Sequence, residues 1–523
     1  MKKQQILAVA LAAAFLYSPS APANGFTTYE SPKDEFVVNA DKAEYDGKRI
    51  TLEGNARVEH SLGLMAANHI VLSLLTAHHS LQISNLAMQG SVLLTLAQNA
   101  KLSCDQAFMD FEKGEGLFTM RDQQHKVLYH GLLHDKEHKK IPLRIESENM
   151  QICISKNSDR PLQLTKQAIK KITANHQVSV LYNQEFGATA DHAYFHGASP
   201  SEAGSENNLG GLIILTSDSA NALCELNDSS GNLMHAKEIR IDTHQRKISM
   251  DFPKGEMAKH LTSKGNPAAI DASKKISFTA DSLVWDDARD TLTLRNNIVV
   301  HQGDMGSIVN DREVQLVQRV FQGKKVLQSV IGIGHSELTS TDAQQNISHT
   351  LTCHGKLTID HTQLRAVLES PSDPQGKTIL TQQVHFHDPM GEMYADTMTV
   401  YYQAQESKLH PVSIHLKGNV YVRNQFSAQA TAASRTDSAH NPFLQYAIAD
   451  SIEYQIPTQT MTLKANKGKR VLFFDKLNHL QVSAPGLTIH RDPLTKKESI
   501  QGVGDVRFTF AKDELQQIEA LSK

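Results

Sequence analysis

Residues 40–59 read ADKAEYDGKRITLEGNARVE. An Ala40-Asp41 pair opens the stretch, Ala43 and Tyr45 follow, Asp46-Gly47 interrupts it, and apolar and polar residues then alternate through Ile50, Leu52, Ala56 and Val58. Period-two alternation on both sides of an Asp-Gly dipeptide predicts strand, tight turn, strand. The same order of residues returns further along. Residues 280–297 (ADSLVWDDARDTLTLRNN) and 449–466 (ADSIEYQIPTQTMTLKAN) match in Ala-Asp-Ser, an aliphatic, an aromatic (Trp285, Tyr454), Leu292 or Met461, Thr-Leu, a base and Asn. Further copies start at Ala190-Asp191 and Ala395-Asp396, and weaker ones at Cys104-Asp105 and His235-Ala236.

A second piece complements the first. Residues 81–92 (LQISNLAMQGSV), 409–420 (LHPVSIHLKGNV) and, less regularly, 499–506 (SIQGVGDV) each end an alternating run on a step of Gly, a polar or small residue, and Val. Val412, Ile414, Leu416, Gly418, Val420 and Val422 share one face of such a strand, and His415, Lys417, Asn419, Tyr421 and Arg423 share the other. That is the pattern of a sheet apolar on one side and wet on the other. Units that cannot bury an apolar face alone stack into a continuous structure. The Asp of each Ala-Asp pair is expected to accept backbone N–H groups where a strand starts, and Gly or Asn of the Gly-Asn step to take positive φ at a bulge or turn. Both are structural roles.

The chain has 523 residues, 40% of them hydrophobic and 21% charged, with a formal net charge of -3. This excludes a broad basic nucleic-acid-binding surface and a disordered composition. Lys2 and Lys3 precede an apolar run from Ile6 to Tyr17, and Ala21-Pro22-Ala23 follows. Residues 1–23 are therefore expected to be an export signal cleaved after Ala23, because a run of about 12 residues falls short of the roughly 20 needed to span a membrane. In an oxidising compartment Cys104, Cys153, Cys224 and Cys353 allow two disulfides in three pairings, and buried free thiols fit the sequence equally. Composition breaks divide the rest into a first repeat region (24–100), a divergent β region (101–252), a linker (253–275), second and third repeat regions (276–370 and 371–511) and a short tail (512–523), with an exposed loop at 197–208.

With these motifs in view, the chain resembles the OstA-like family of lipopolysaccharide-transport proteins, which includes the periplasmic bridge protein LptA and the periplasmic part of LptD. The residues that carry the resemblance are the Ala-Asp openings at Ala40, Ala280, Ala395 and Ala449, the Thr-Leu-x-Gly-Asn step from Thr51 to Asn55, and Ala67-Asn68-His69-Ile70-Val71. The resemblance implies an elongated, all-β, V-shaped open jellyroll of two sheets, with lipid A acyl chains between them. It also implies a periplasmic location, lipopolysaccharide as the cargo, transport components at both membranes as partners, and head-to-tail self-association.

Candidate acyl-chain contacts are the inward residues of three repeats: Ile50, Leu52, Ala56 and Val58; Leu292, Leu294, Ile298 and Val300; and Ile414, Leu416, Val420 and Val422. A sealed sandwich core produces the same alternation, so a structural β-solenoid with a dry core remains the alternative. No catalytic residues are assigned, because the chain contains no zinc helix, phosphate loop, nucleophile elbow or dinucleotide fingerprint. No cofactor and no metal is expected. Among 26 histidines, the pairs His134/His138, His192/His196 and His385/His387 have ligand spacing, but the sequence places no further Cys or carboxylate motif beside them. His138-Lys139-Lys140 reads as a charged loop.

Overall fold

The repeated stretch breaks in its middle because one strand serves two sheets. In the computed structural model, which describes residues 36–510 apart from 155–168, 198–210, 258–275, 425–444 and shorter gaps, Lys42–Tyr45 and Arg49–His60 form the expected hairpin. Asp46 closes its turn by accepting hydrogen bonds from the backbone N–H groups of Lys48 (2.9 Å) and Arg49 (2.7 Å). Those bonds hold the carboxyl below its ordinary range. The strand Arg49–His60 then runs past Gly54-Asn55. Its first half pairs with Lys42–Tyr45, its second half with Val37–Asn39, and its other edge with Gly63–Ala77 through a register shift at the break.

Gly54 (φ 74°) and Asn55 (φ 44°) form this corner. Asn55 donates its side-chain amide to Asp41 (3.1 Å), and the Asp41 N–H donates to the Gly54 carbonyl (3.0 Å). Gly418 (φ 78°) and Asn419 (φ 44°) repeat the arrangement on Asp396, with bonds of 2.8 and 2.9 Å. Asn296 and Asn297 repeat it on Asp281. The expectation that Asp accepts backbone N–H groups holds at Asp450, Asp191 and Asp105. At Asp41, Asp281 and Asp396 a neighbouring Asn side chain is the donor instead. A two-residue corner preserves the period of two, so Leu52 and Ala56, Leu294 and Ile298, and Leu416 and Val420 stay inward on either side of it. Ala280, Ala395 and Ala449 are buried at these corners, where converging sheets leave room for little more than a methyl group.

Between the corners, hairpins alternate between the two sheets. Glu238–Asp242 and Lys247–Asp251 pair in the first sheet, Lys254–Met257 and Ile276–Thr279 in the second, Ser282–Asp286 and Thr291–Arg295 in the first, and Ile298–Gln302 and Gly306–Asn310 in the second. Each hairpin also bonds the preceding hairpin of its own sheet, as Lys247–Asp251 does to Ser282–Asp286. The result is two antiparallel ladders of about two dozen strands each, fused where long strands such as Arg49–His60 and Lys408–Asn424 cross between them. At about 4.8 Å per strand, each ladder is on the order of 110 Å long. The fold is thus an elongated all-β structure. The sole helical element among the described residues is a short 3-10 turn at Leu380–Gln382.

Among the described residues of 101–252 the ladders continue without changing plan, and Lys254–Met257, at the start of the expected linker, is a paired strand. Residues 1–23, 258–275, 512–523 and all but the first residue of the 197–208 loop lie outside the described residues. No described helix is long and apolar enough to cross a membrane. One apolar cluster runs from Leu52 to Val330 and a second from Cys353 to Leu487, and Ile308 and Ile359 pack against both.

All four cysteines are free thiols, three of them buried. Burial pushes the Cys104 thiol up to about 12 and raises those of Cys224 and Cys353. Maleimide labelling of the native protein is therefore expected to reach Cys153 first, with the other three reacting only after denaturant is added. Labelling of Cys224 as fast as Cys153 would contradict this packing.

Candidate functional site

Because every crossing strand bends at its corner, the two sheets meet along a row of corners and their hairpin tips form the two opposite rims of a cleft. Tips of the first sheet lie at 46–48, 243–246, 287–290, 361–364 and 457–459, and tips of the second at 135–139, 183–185 and 229–232. The inward residues between corner and tip decide whether the cleft is open.

In the first two thirds of the chain the rims touch at two places among the described residues. Trp285, next to a first-sheet tip, meets the ring of Phe186, next to a second-sheet tip, edge to face at 5.1 Å. Tyr182 stacks on Phe186. His60 and Phe111 make a second contact between the rims at 5.4 Å. The Arg246–Asp287 ion pair lies beside Tyr182, whose hydroxyl is raised out of its ordinary range by burial and then by the Asp287 charge. Inward residues here are buried from corner to tip, as Trp285, Leu283, Leu292 and Leu294 illustrate.

The last third differs. Residues next to the corners, among them Leu357, Val384, Leu416, Leu463 and Leu487, are buried; on these five strands the next inward residue toward the rim is only partly buried, whereas Ala366, Val400, Val422, Ala447 and Phe473 at the same depth on neighbouring strands are covered. These rim-side residues are Ile359, Phe386, Ile414, Met461 and Ile489, joined by Leu338, Leu351 and Met393, and all pack against the second apolar cluster. An apolar trough with its floor covered and its flanks wet lies along this part of the molecule.

Of the twelve candidate contacts, Leu52, Ala56, Val58, Leu292, Leu294, Ile298 and Val300 are buried in the closed stretch, and Ile50 is half-buried at its N-terminal end. Leu416, Val420 and Val422 form part of the trough floor, and Ile414 lies on its flank. Sequence reasoning thus found the inward face in each case. It missed Ile359, Phe386 and Met461, which carry the same alternation, because period two reports the side of a sheet and not the depth between corner and rim.

The outward face carries His192, His196, His385 and His387. His192 is engaged by Asn175 (2.8 Å) and Asp218 (2.5 Å), and His138 lies outside the described residues. His385 and His387 project outward from Val384–Asp388, opposite Tyr394 and Glu392 of Gly391–Ala395. Burial lowers the His385 pKa. Burial acts to raise that of Glu392, but hydrogen bonds from Arg423 and Tyr394 outweigh it and hold the carboxyl below its ordinary range. Lys139 and Lys140 are exposed.

No family model matches the chain, and no curated protein matches it. Among solved structures it is similar to LptH of Pseudomonas aeruginosa, described as the LptA-homologous periplasmic component of the lipopolysaccharide transport device. The identity is 18% over 26% of this chain and 80% of that one, with a TM-score of 0.20. A superposition of that quality carries no argument, and the two-sheet architecture stands on the strand pairing itself.

Proposed function

We propose that the protein is a non-enzymatic periplasmic carrier of lipopolysaccharide, holding acyl chains in the apolar trough of its last third while the head group stays in water. The partly buried rim-side row of Ile359, Phe386, Ile414, Met461 and Ile489 over a buried floor carries this reading. Such a row gains about 25 cal/mol for each Å² of apolar surface an acyl chain covers. The motif resemblance of the sequence supplies the cargo class. No cofactor is required, and the direction of movement is set by transport components at the inner and outer membranes. Self-association is head to tail through the end strands, which present Val37 and Tyr45 at one end and Val503, Phe508 and Phe510 at the other, all exposed.

A second reading, an envelope scaffold with a dry core, is favoured by the closed stretch from Leu52 to Val330. Site-specific photo-crosslinking separates the two. With a photoreactive residue at Met461 or Ile359, adducts to co-purifying lipopolysaccharide are expected, with none at the sealed Leu294 or the outward Lys417. Absence of lipid at Met461, Ile359 and Ile414 alike overturns the carrier reading and leaves the scaffold.

A further inference from the structure

The geometry points to a divalent-cation site of the zinc type on the outer face of the second sheet, formed by His385, His387 and Glu392. The two histidines alternate on one side of a single strand, which puts their rings on one face two residues apart. Strand pairing sets Glu392 directly across from His387. This is the carboxylate that the sequence does not place beside the His pair, because it arrives from the far side of a hairpin.

One donor atom from each of the three side chains lies within 4.8 Å of the other two. The His387 Nδ1 is 3.4 Å from one carboxylate oxygen of Glu392, and the His385 Nε2 is 3.8 Å from the other. Tetrahedral zinc with ligand bonds of about 2.0–2.2 Å sets donors roughly 3.3–3.5 Å apart, so closing the group from separations of up to 4.8 Å takes side-chain rotations that bring both rings onto one carboxylate oxygen. A second, independent observation is the His385 Nε2 itself, which is buried and has no hydrogen-bond partner. A buried imidazole nitrogen without a partner is a cost that a metal ion would remove.

The surroundings orient the ligands. Arg423 (Nε at 2.6 Å) and the Tyr394 hydroxyl (2.9 Å) both donate to Oε2 of Glu392, leaving Oε1 turned toward His387. The His385 ring lies flat on Tyr394 at 4.3 Å, which fixes its plane. Outer contacts of this kind set the orientation of metal ligands. Two nitrogens and one carboxylate oxygen suit zinc and leave a fourth position for water or for a ligand oxygen. The inward neighbour of the two histidines is Phe386 on the trough flank, so an ion here would brace the hairpin that forms part of the rim.

The test uses the untagged chain, stripped with chelator and titrated with Co²⁺. One equivalent is expected to produce the intense visible bands of a low-coordinate cobalt–imidazole site, displaced by Zn²⁺. His387→Ala, at a half-exposed position whose loss leaves folding intact, and Glu392→Gln are each expected to weaken binding at least tenfold. His192→Ala is expected to leave it unchanged. A titration without a stoichiometric band, or one that persists in the His385→Ala/His387→Ala double variant, overturns the site.

Discussion

Replacing Trp285 by alanine is expected to destabilise the protein by about 3–5 kcal/mol, the range for truncating a large buried aromatic. Trp285 is 1% exposed and heads the largest fully buried side chains. Its ring spans the cleft, meeting Phe186 of the opposite sheet at 5.1 Å, a geometry that adds about 0.5–1.5 kcal/mol beyond area burial. Removal therefore does two things at once: it leaves a cavity, and it unlatches the rims. The second effect separates this position from an ordinary core residue. Trp285→Ala is expected to expose the Leu292 and Leu294 row and raise binding of an apolar dye under native conditions. Phe386→Ala, on the flank of the open trough, is expected to cost less, about 1–2 kcal/mol, because water already reaches that ring. Equal losses at the two positions in urea unfolding would show that the cleft is no more closed at Trp285 than at Phe386.

Gly418→Ala is expected to be strongly damaging for a one-methyl change, with a loss of about 2–4 kcal/mol. Gly418 holds φ at 78°, which costs an L-residue on the order of 1 kcal/mol, and a β-carbon there would run into the Asp396 carboxylate. Displacing Asp396 also breaks its bonds from Asn419 (2.8 Å) and Gln383 (3.0 Å). The collision makes a specific non-additivity. Asp396→Ala alone loses those two bonds, about 1–2 kcal/mol. The Gly418→Ala/Asp396→Ala pair is expected to lose at least 1 kcal/mol less than the sum of the singles, because the obstructing carboxylate is gone. Additive losses would mean that the corner relaxes around the extra methyl. Gly54→Ala against Asp41 has the same geometry and offers an independent repeat of the cycle.

The two substitutions probe features of different legibility. Gly418-Asn419 stands in the sequence as a break in an alternating run, and positive φ at both residues follows from local chemistry alone. Its partner Asp396 was visible as a repeated residue, but its acceptance of an Asn side chain depends on strand register. Trp285 reads in the sequence only as the aromatic of a repeated unit, equivalent to Tyr454. Yet Trp285 is sealed and Tyr454 is half-buried, because one faces Phe186 across the cleft and the other lies over the open trough. The cation site shows the same division. His385 and His387 are two residues apart in the chain, and Glu392 joins them only because the hairpin pairs it with His387.

By itself the sequence determined the alternation of the repeated strands, their Gly-Asn corners and the inward placement of the twelve candidate residues. A two-residue period and a Gly-Asn step are properties of a few consecutive residues, and no distant partner is needed to read them. Tertiary structure alone decided which part of that inward face is shut and which is open. That outcome depends on whether tips of opposite sheets meet, and side chains far apart in the chain, such as Phe186 and Trp285, make that contact.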